Sequence, residues 1–283
     1  MSEGSQTQTL SFGNFHSERL AAKFMDVGSD GVVILCHGYA STKDGFLFPR
    51  LAEELAARGL SSLRFDFAGN GESEGTFSFG NYFREVEDLR AAVQFVRDIL
   101  QKSVHAIIGH SKGGNVVLLY ASRYGDVPYV VNVAGRGVMS RGIKERFGAD
   151  IMDRLAEVGA VEQEVRQDGG RRIIKYLLTK QRMQLDMLSE AAKISRGSQV
   201  LTIHGSSDTV VPVDDARRLA GVMQQCRHTL VVVDGADHNF RPPMAAARLI
   251  ELVLEYLAGP ESAETRAPEA TGKAAAEGSE LPC

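Results

Sequence analysis

Serine, aspartate and histidine can together cleave an acyl bond, and this chain carries one of each in an order and spacing that suit the task. Ser111 stands in Gly109-His110-Ser111-Lys112-Gly113, between a strand-like run and a helix-like one. A serine hydroxyl can attack a carbonyl from an exposed position on a tight strand-to-helix turn, where both flanks approach neighbouring backbone closely. Glycines at 109 and 113 remove the Cβ atoms that would obstruct that approach. The same turn aims the Lys112 amide outward at a helix start, where it can meet the negative charge that develops on a carbonyl oxygen. A five-residue pattern of this kind also occurs by chance, and the strand and helix around it give it meaning.

Serine at its free pKa is a poor nucleophile, so a base must take its proton and a third group must hold that base in one tautomer. In an open parallel sheet functional residues gather at the carboxyl ends of strands, which filters the seven histidines. His228 precedes its strand, His105 lies within or before one, His16 belongs to the N-terminal β region and His110 points off the elbow. His238 follows the strand expected from Thr229 to Val233 after a short loop, and is the expected base. Asp208, just past the strand ending at His204, is the expected acid, with His204 as a structural neighbour. Asp214 and Asp215 suit the start of the next helix. Asp234 and Asp237 shape the His238 loop, and Asp66 packs the turn-rich stretch that runs to Ser73. The order Ser, Asp, His is that of hydrolases built on an elbow. A second oxyanion donor is expected from His37-Gly38-Tyr39, through the Tyr39 amide, with the His37 ring bracing the loop.

Positioning these groups takes a sheet. Hydrophobic period and punctuation predict a β-rich start from Thr9 to Asp26 and strands at Val32 to Cys36, Ser62 to Phe67, Val104 to Ile108, Tyr129 to Ala134, Val200 to His204 and Thr229 to Val233. Helices are predicted around Leu47 to Ala56, Tyr82 to Leu100, Gly113 to Tyr124, Val213 to Gln225 and Pro243 to Leu257. Continuous apolar strands alternating with amphipathic helices require a parallel sheet covered on both faces, hence a three-layer α/β sandwich. The interruption at about 137–196 is too long for a plain loop, and Ile173 to Leu188 has a helix-like pattern, so a small inserted lid is expected. One domain over residues 1–258 is therefore expected. The segment 259–283 holds almost no large apolar residues and is expected to be a disordered tail.

Composition narrows the partners. The 283 residues are 43% hydrophobic and 24% charged with a net charge of −4, which lacks the concentrated cations of a nucleic-acid groove. A small-molecule ester or acyl ligand is the expected partner. Three cysteines, Cys36, Cys226 and Cys283, show neither disulfide nor metal spacing. No apolar run reaches membrane-spanning length, Met1 to Thr9 lacks a signal-peptide pattern, and lipidation motifs are missing, so a cytoplasmic location is expected. No metal or organic cofactor is expected, because no ligand cluster shows and the triad chemistry needs none.

Together these motifs resemble the α/β-hydrolase superfamily, and within it the serine aminopeptidase S33-like hydrolases and the cinnamoyl or feruloyl esterases. The anchors are Cys36-His-Gly-Tyr-Ala-Ser41, Phe65-Asp-Phe-Ala-Gly-Asn-Gly-Glu-Ser73, Gly109-His-Ser-Lys-Gly-Gly114, His204 to Pro212 and Asp237-His238. The resemblance, which runs from about Val32 to Leu257, implies Ser111 as nucleophile, Asp208 as orienter, His238 as base, and the Tyr39 and Lys112 amides as the oxyanion hole. Lys112 departs from the Gln, Met or Leu common in such esterases. Its side chain is expected to face solvent or a lid carboxylate, or else an acidic substrate.

Substrate choice in this superfamily lies with the lid, which here mixes Arg141, Lys144, Arg146, Arg171, Arg172 and Lys175 with Phe147 and Tyr176. Hydrolysis of carboxylic esters is the leading expectation. A peptidase or amidase of the S33 type is the nearest rival, with Glu157, Glu162 and Glu164 available to hold a terminal amine. A slow-turnover ligand receptor on the same fold is the third.

Overall fold

The computed structural model describes residues 7–167, 172–178 and 180–259. Ten strands and nine α-helices follow one another within these residues. An antiparallel hairpin opens the chain, β1 (Thr7–Gly13) and β2 (Arg19–Met25). The core then alternates β3 (Gly31–Cys36), α1 (Phe48–Ala57), β4 (Ser61–Phe65), α2 (Tyr82–Gln94), β5 (Ser103–His110), α3 (Lys112–Tyr124) and β6 (Tyr129–Val133). Between β6 and the later strands lie α4 (Ile143–Phe147), α5 (Ile151–Val158), β7 (Val161–Gln167), β8 (Arg172–Leu178), α6 (Gln181–Gln184) and α7 (Met187–Ala192). The alternation resumes with β9 (Gln199–Gly205), α8 (Val213–Val222), β10 (Arg227–Val233) and α9 (Pro243–Ala258).

Eight strands form one sheet in the order β1-β2-β4-β3-β5-β6-β9-β10. From β4 to β10 every pairing is parallel, and β2 joins β4 antiparallel. The side-chain period of two divides each strand between two cores. Val32, Ile34 and Cys36 of β3 pack with α2 and α3, while Val33 and Leu35 pack with α1 and α9. The expected three-layer sandwich results. Chain order reverses at β3, since β4 lies on one side of it and β5 on the other. A crevice opens at the carboxyl ends of strands where the order reverses, and there doubly wound sheets bind their ligands.

The turn from β5 to α3 sits at that crevice. A Cβ on Gly109 would lie 2.1 Å from the Gly113 carbonyl oxygen, and one on Gly113 would lie 2.2 Å from the Cys36 carbonyl oxygen. Helix α3 can thus touch the end of β3 backbone to backbone. Between the two glycines, Ser111 has φ 54° and ψ −115°, a sparsely populated conformation for a residue with a side chain. Its amide donates to the Val133 carbonyl at 2.8 Å, which ties the turn to β6.

The insertion differs from its expected form in one respect. Residues 173–188 do not make one helix: β8 pairs antiparallel with β7, and two short helices follow. Ile173, Tyr176 and Leu177 have helical spacing, but in the hairpin Tyr176 and Leu178 are buried while Ile173 and Leu177 face solvent. Pairing with β7 overrides the local period. Ile143, Ile151, Leu155, Val161, Tyr176 and Leu178 form a satellite core with Phe77 and Phe79 of the main body. Met187, Ala191 and Ile194 belong to the main core, where α7 packs on α3 and α8. The tail expected over 259–283 lies, beyond Gly259, outside the described residues.

The elbow yields a stability prediction. Gly113→Ala must push the start of α3 off β3 and is expected to lower stability by about 1–3 kcal/mol or more in a urea titration. An unchanged midpoint would show that the turn has room to spare.

Candidate active site

Each site residue expected from the sequence stands at the carboxyl end of a parallel strand: Tyr39 after β3, Ser111 and Lys112 after β5, Asp208 after β9 and His238 after β10. The fold brings three of their side chains into a line. His238 Nε2 lies 3.0 Å from Ser111 Oγ, and His238 Nδ1 lies 2.7 Å from Asp208 Oδ2. A carboxylate can only accept, so the proton sits on Nδ1 and the Nε2 lone pair faces the hydroxyl. The hydroxyl can then donate its proton to Nε2 as Oγ gains nucleophilic character.

Asp208 is held by four donors. Its Oδ1 accepts the Val210 and Val211 amides, each at 2.8 Å, and its Oδ2 faces both His238 and His204, the latter at 3.3 Å. His204 Nε2 also donates to the Val211 carbonyl at 2.8 Å. Burial alone would raise the Asp208 pKa, but the two imidazoles and the Val211 amide outweigh it and hold the carboxyl well below its usual range. The acid therefore stays ionised wherever the histidine must be oriented.

Two further histidines beside the site, His110 and His37, are fixed structural pieces. His110 stacks on Phe46 with ring centroids 3.8 Å apart and donates from Nε2 to the His238 carbonyl at 2.9 Å. Burial, and next the His238 charge, push its pKa down to about 3, so it is a neutral brace for the His238 loop. His37 accepts the Phe67 amide at Nε2 and donates from Nδ1 to the Gly38 carbonyl, bracing the Tyr39 loop from within. Asp66 is fully buried and accepts the Lys43 and Glu72 amides together with the Lys43 ammonium.

Lys112 corrects an expectation. Its ammonium reaches neither solvent nor the insertion but is buried against α2, 2.6 Å from Glu85 Oε1 and 3.1 Å from the Ser78 carbonyl. Because α3 packs along α2, the lysine stem is directed between the helices. Burial pushes the Glu85 pKa up to about 7 despite the opposing lysine. Lys112 thus fastens two helices while its amide remains at the turn.

Ser111 opens into a cavity of about 500 Å³ lined by Tyr39, Phe46, Phe79, Tyr82, Lys112 and His238 and, from the insertion, by Glu145, Arg146 and Arg182. Arg136, just past β6, completes one wall. Tyr39 donates or accepts at 2.8 Å with the Tyr176 hydroxyl, so the loop after β3 is tied to the insertion. Arg136 and Arg182 were not singled out from the sequence. The strand-end filter that found Asp208 would have found Arg136 in Ala134-Gly135-Arg136, whereas nothing in the sequence marks Arg182.

The Asp208 network predicts acid behaviour. The folded pKa lies below the unfolded value near 3.8, so its contribution to stability is complete above that value and is lost as pH falls through the folded pKa. In circular dichroism, Asp208→Asn is expected to lose less stability than wild type between about pH 5 and about pH 2. Parallel curves would contradict the assignment.

Residues 28–140 match the family profile described as serine aminopeptidase, S33. A monoacylglycerol lipase of Mycolicibacterium smegmatis is 28% identical over 236 residues, covering 76% of this chain and 83% of the lipase. An esterase of Pyrococcus furiosus, Pf2001, superposes with a TM-score of 0.69 at 21% identity, covering 90% of this chain and 91% of its own. Est1E of Butyrivibrio proteoclasticus, solved with ferulic acid bound, superposes with a TM-score of 0.66 at 19% identity, covering 88% and 100%. Among the described residues no helix is long and apolar enough to cross a membrane. Sheet order and these likenesses give the chain the α/β-hydrolase fold, and its residues 28–140 are similar to the serine aminopeptidase S33 profile.

Proposed function

We propose that the chain hydrolyses carboxylic esters of small molecules through an acyl-enzyme on Ser111. The observation that carries this is the unbroken relay from Asp208 through His238 to Ser111, at 2.7 and 3.0 Å. In the first half-reaction Ser111 Oγ bonds to the ester carbonyl carbon as its proton passes to His238 Nε2. The carbonyl oxygen becomes an oxyanion, and the Tyr39 and Lys112 amides are the donors assigned to it. Collapse of the tetrahedral adduct breaks the bond to the alcohol oxygen, which leaves with the proton from His238. Water then gives its proton to His238, attacks the acyl carbon, and releases the acid as Ser111 regains its hydrogen. Asp208 remains ionised throughout and stabilises the imidazolium formed in each half.

The insertion acts as a lid in this scheme, since Glu145, Arg146 and Arg182 contribute to the cavity wall. An exopeptidase would need an acidic group for the terminal amine of its substrate. Glu157, Glu162 and Glu164 are not among the lining residues, and the exposed Glu145, which is, stands against three arginines. That balance supports esters over peptides. So do the lipase activity named for the mycobacterial relative and the ferulic acid held by Est1E. Free thiols at Cys36 and Cys226 support a reducing, cytoplasmic setting.

Hydrolysis of p-nitrophenyl esters tests the roles. Ser111→Ala and His238→Ala are each expected to lower kcat by roughly 10⁴-fold or more, and Asp208→Asn by roughly 10⁴-fold, with the fold retained by circular dichroism. Wild-type rates in His238→Ala would refute the proposed base.

A further inference from the structure

The cavity that receives the Ser111 hydroxyl is also lined by two buried arginines that form no ion pair among the described residues. Arg136 is 8% exposed and Arg182 is 5% exposed, and both line the cavity. Arg136 Nη2 donates to the Val210 carbonyl at 2.5 Å, and Arg182 Nη2 donates to the Arg141 carbonyl at 3.1 Å. Arg136 Nη1 and Arg182 Nε are buried with no hydrogen-bond partner among the described residues, and the neutral Tyr82 hydroxyl lies close to the Arg182 guanidinium. Neither guanidinium has a carboxylate ion-pair partner among the described residues. Nearby carboxylates already have cationic partners: Asp215 is engaged by Arg141 and the Gly137 and Val138 amides, and Glu85 through Oε1 by Lys112. Glu145 lies on the cavity wall but is exposed.

Burying a charge is costly unless it is paired, and burying two of the same sign in one cavity is costlier. Burial, followed for Arg136 by the Arg182 charge, pushes both guanidinium pKa values down. The Arg182 guanidinium is further fixed over the Phe79 ring at 4.8 Å. A third cation, Arg146, lies over the Tyr39 ring at 4.6 Å and faces the same space. Planar guanidinium forks, desolvated and held in place, match the paired oxygens of a carboxylate or phosphate.

We propose that the physiological ester carries an anionic group, a carboxylate or a phosphate, received by Arg136 and Arg182 within the cavity that presents its carbonyl to Ser111. This rests on the ester-hydrolase function proposed above and adds the chemical class of its substrate. One arginine comes from the end of β6 and the other from the insertion, so the bound anion bridges the sheet and its cover.

The test reads binding apart from turnover. Ser111→Ala protein is titrated calorimetrically with three p-nitrophenyl esters: the hexanoate, the adipate monoester, and the ω-phosphonohexanoate. One or both anionic esters are expected to bind about tenfold or more tightly than the neutral one, and comparing the two identifies the preferred anion. Adding Arg182→Gln or Arg136→Gln is expected to collapse that preference toward unity. Arg182→Lys, which keeps the charge and loses the fork, is expected to retain part of it and guards against misfolding of the glutamine variants. Equal affinity for all three esters would overturn the anion site, as would a preference that survives both glutamine substitutions in folded protein. Failure of wild type to turn over any of the esters would count against the serine mechanism instead, since the binding data do not depend on it.

Discussion

Backbone touches backbone where helix α3 meets strand β3, and the geometry of the cavity follows from that contact. With no Cβ at 113 the helix start can rest against the Cys36 carbonyl, and with none at 109 the strand can turn back beneath it. The positive φ forced on Ser111 costs on the order of 1–3 kcal/mol. The hydrogen bond from its amide to the Val133 carbonyl and the fully buried α3 side chains Val116, Val117, Leu118 and Leu119 offset that cost. The result is a hydroxyl held proud of the sheet beside the loop that bears Tyr39. A looser turn would let the oxygen drift by more than the tolerance of a 3.0 Å hydrogen bond to His238.

Around that fixed hydroxyl the protein treats charge in two opposite ways. The Asp208 carboxylate is matched by amides and imidazoles on both oxygens, so its negative charge is rigid and committed to His238. The Arg136 and Arg182 guanidiniums belong to residues that line the same cavity, and one nitrogen of each is buried without a hydrogen-bond partner. Saturated polar networks give orientation, whereas a buried group left unsatisfied calls for an explanation. Lys112 is engaged on the structural side, by Glu85 Oε1 and the Ser78 carbonyl between two helices.

The sheet and the relay were legible because local and global signals coincide there. Strands β3, β5, β6 and β9 are mostly apolar runs that end at polar, glycine-bearing loops, and the candidate site residues lie at the ends of β3, β5 and β9. Strand-end position separated His238 from His228 and Asp208 from its neighbours without any knowledge of distance. The insertion was less legible. Ile173, Tyr176 and Leu177 recur at helical intervals, and only pairing with β7, a contact remote in sequence, makes them a strand. The fate of the Lys112 side chain likewise depends on how α3 lies on α2, which no local pattern encodes. Arg182 reaches the cavity through the packing of Phe79 and the insertion, so its place emerges only in three dimensions.

The account stands on one claim, that Ser111 is chemically activated by His238. Peptide mapping by mass spectrometry after treatment with a fluorophosphonate measures this directly, because the reagent phosphonylates an activated serine and ignores ordinary ones. The account predicts a single stoichiometric adduct on the peptide bearing Ser111, and none when His238 is replaced by alanine. An unmodified Ser111 in folded wild-type protein, or an adduct that forms equally well without the imidazole, would contradict it.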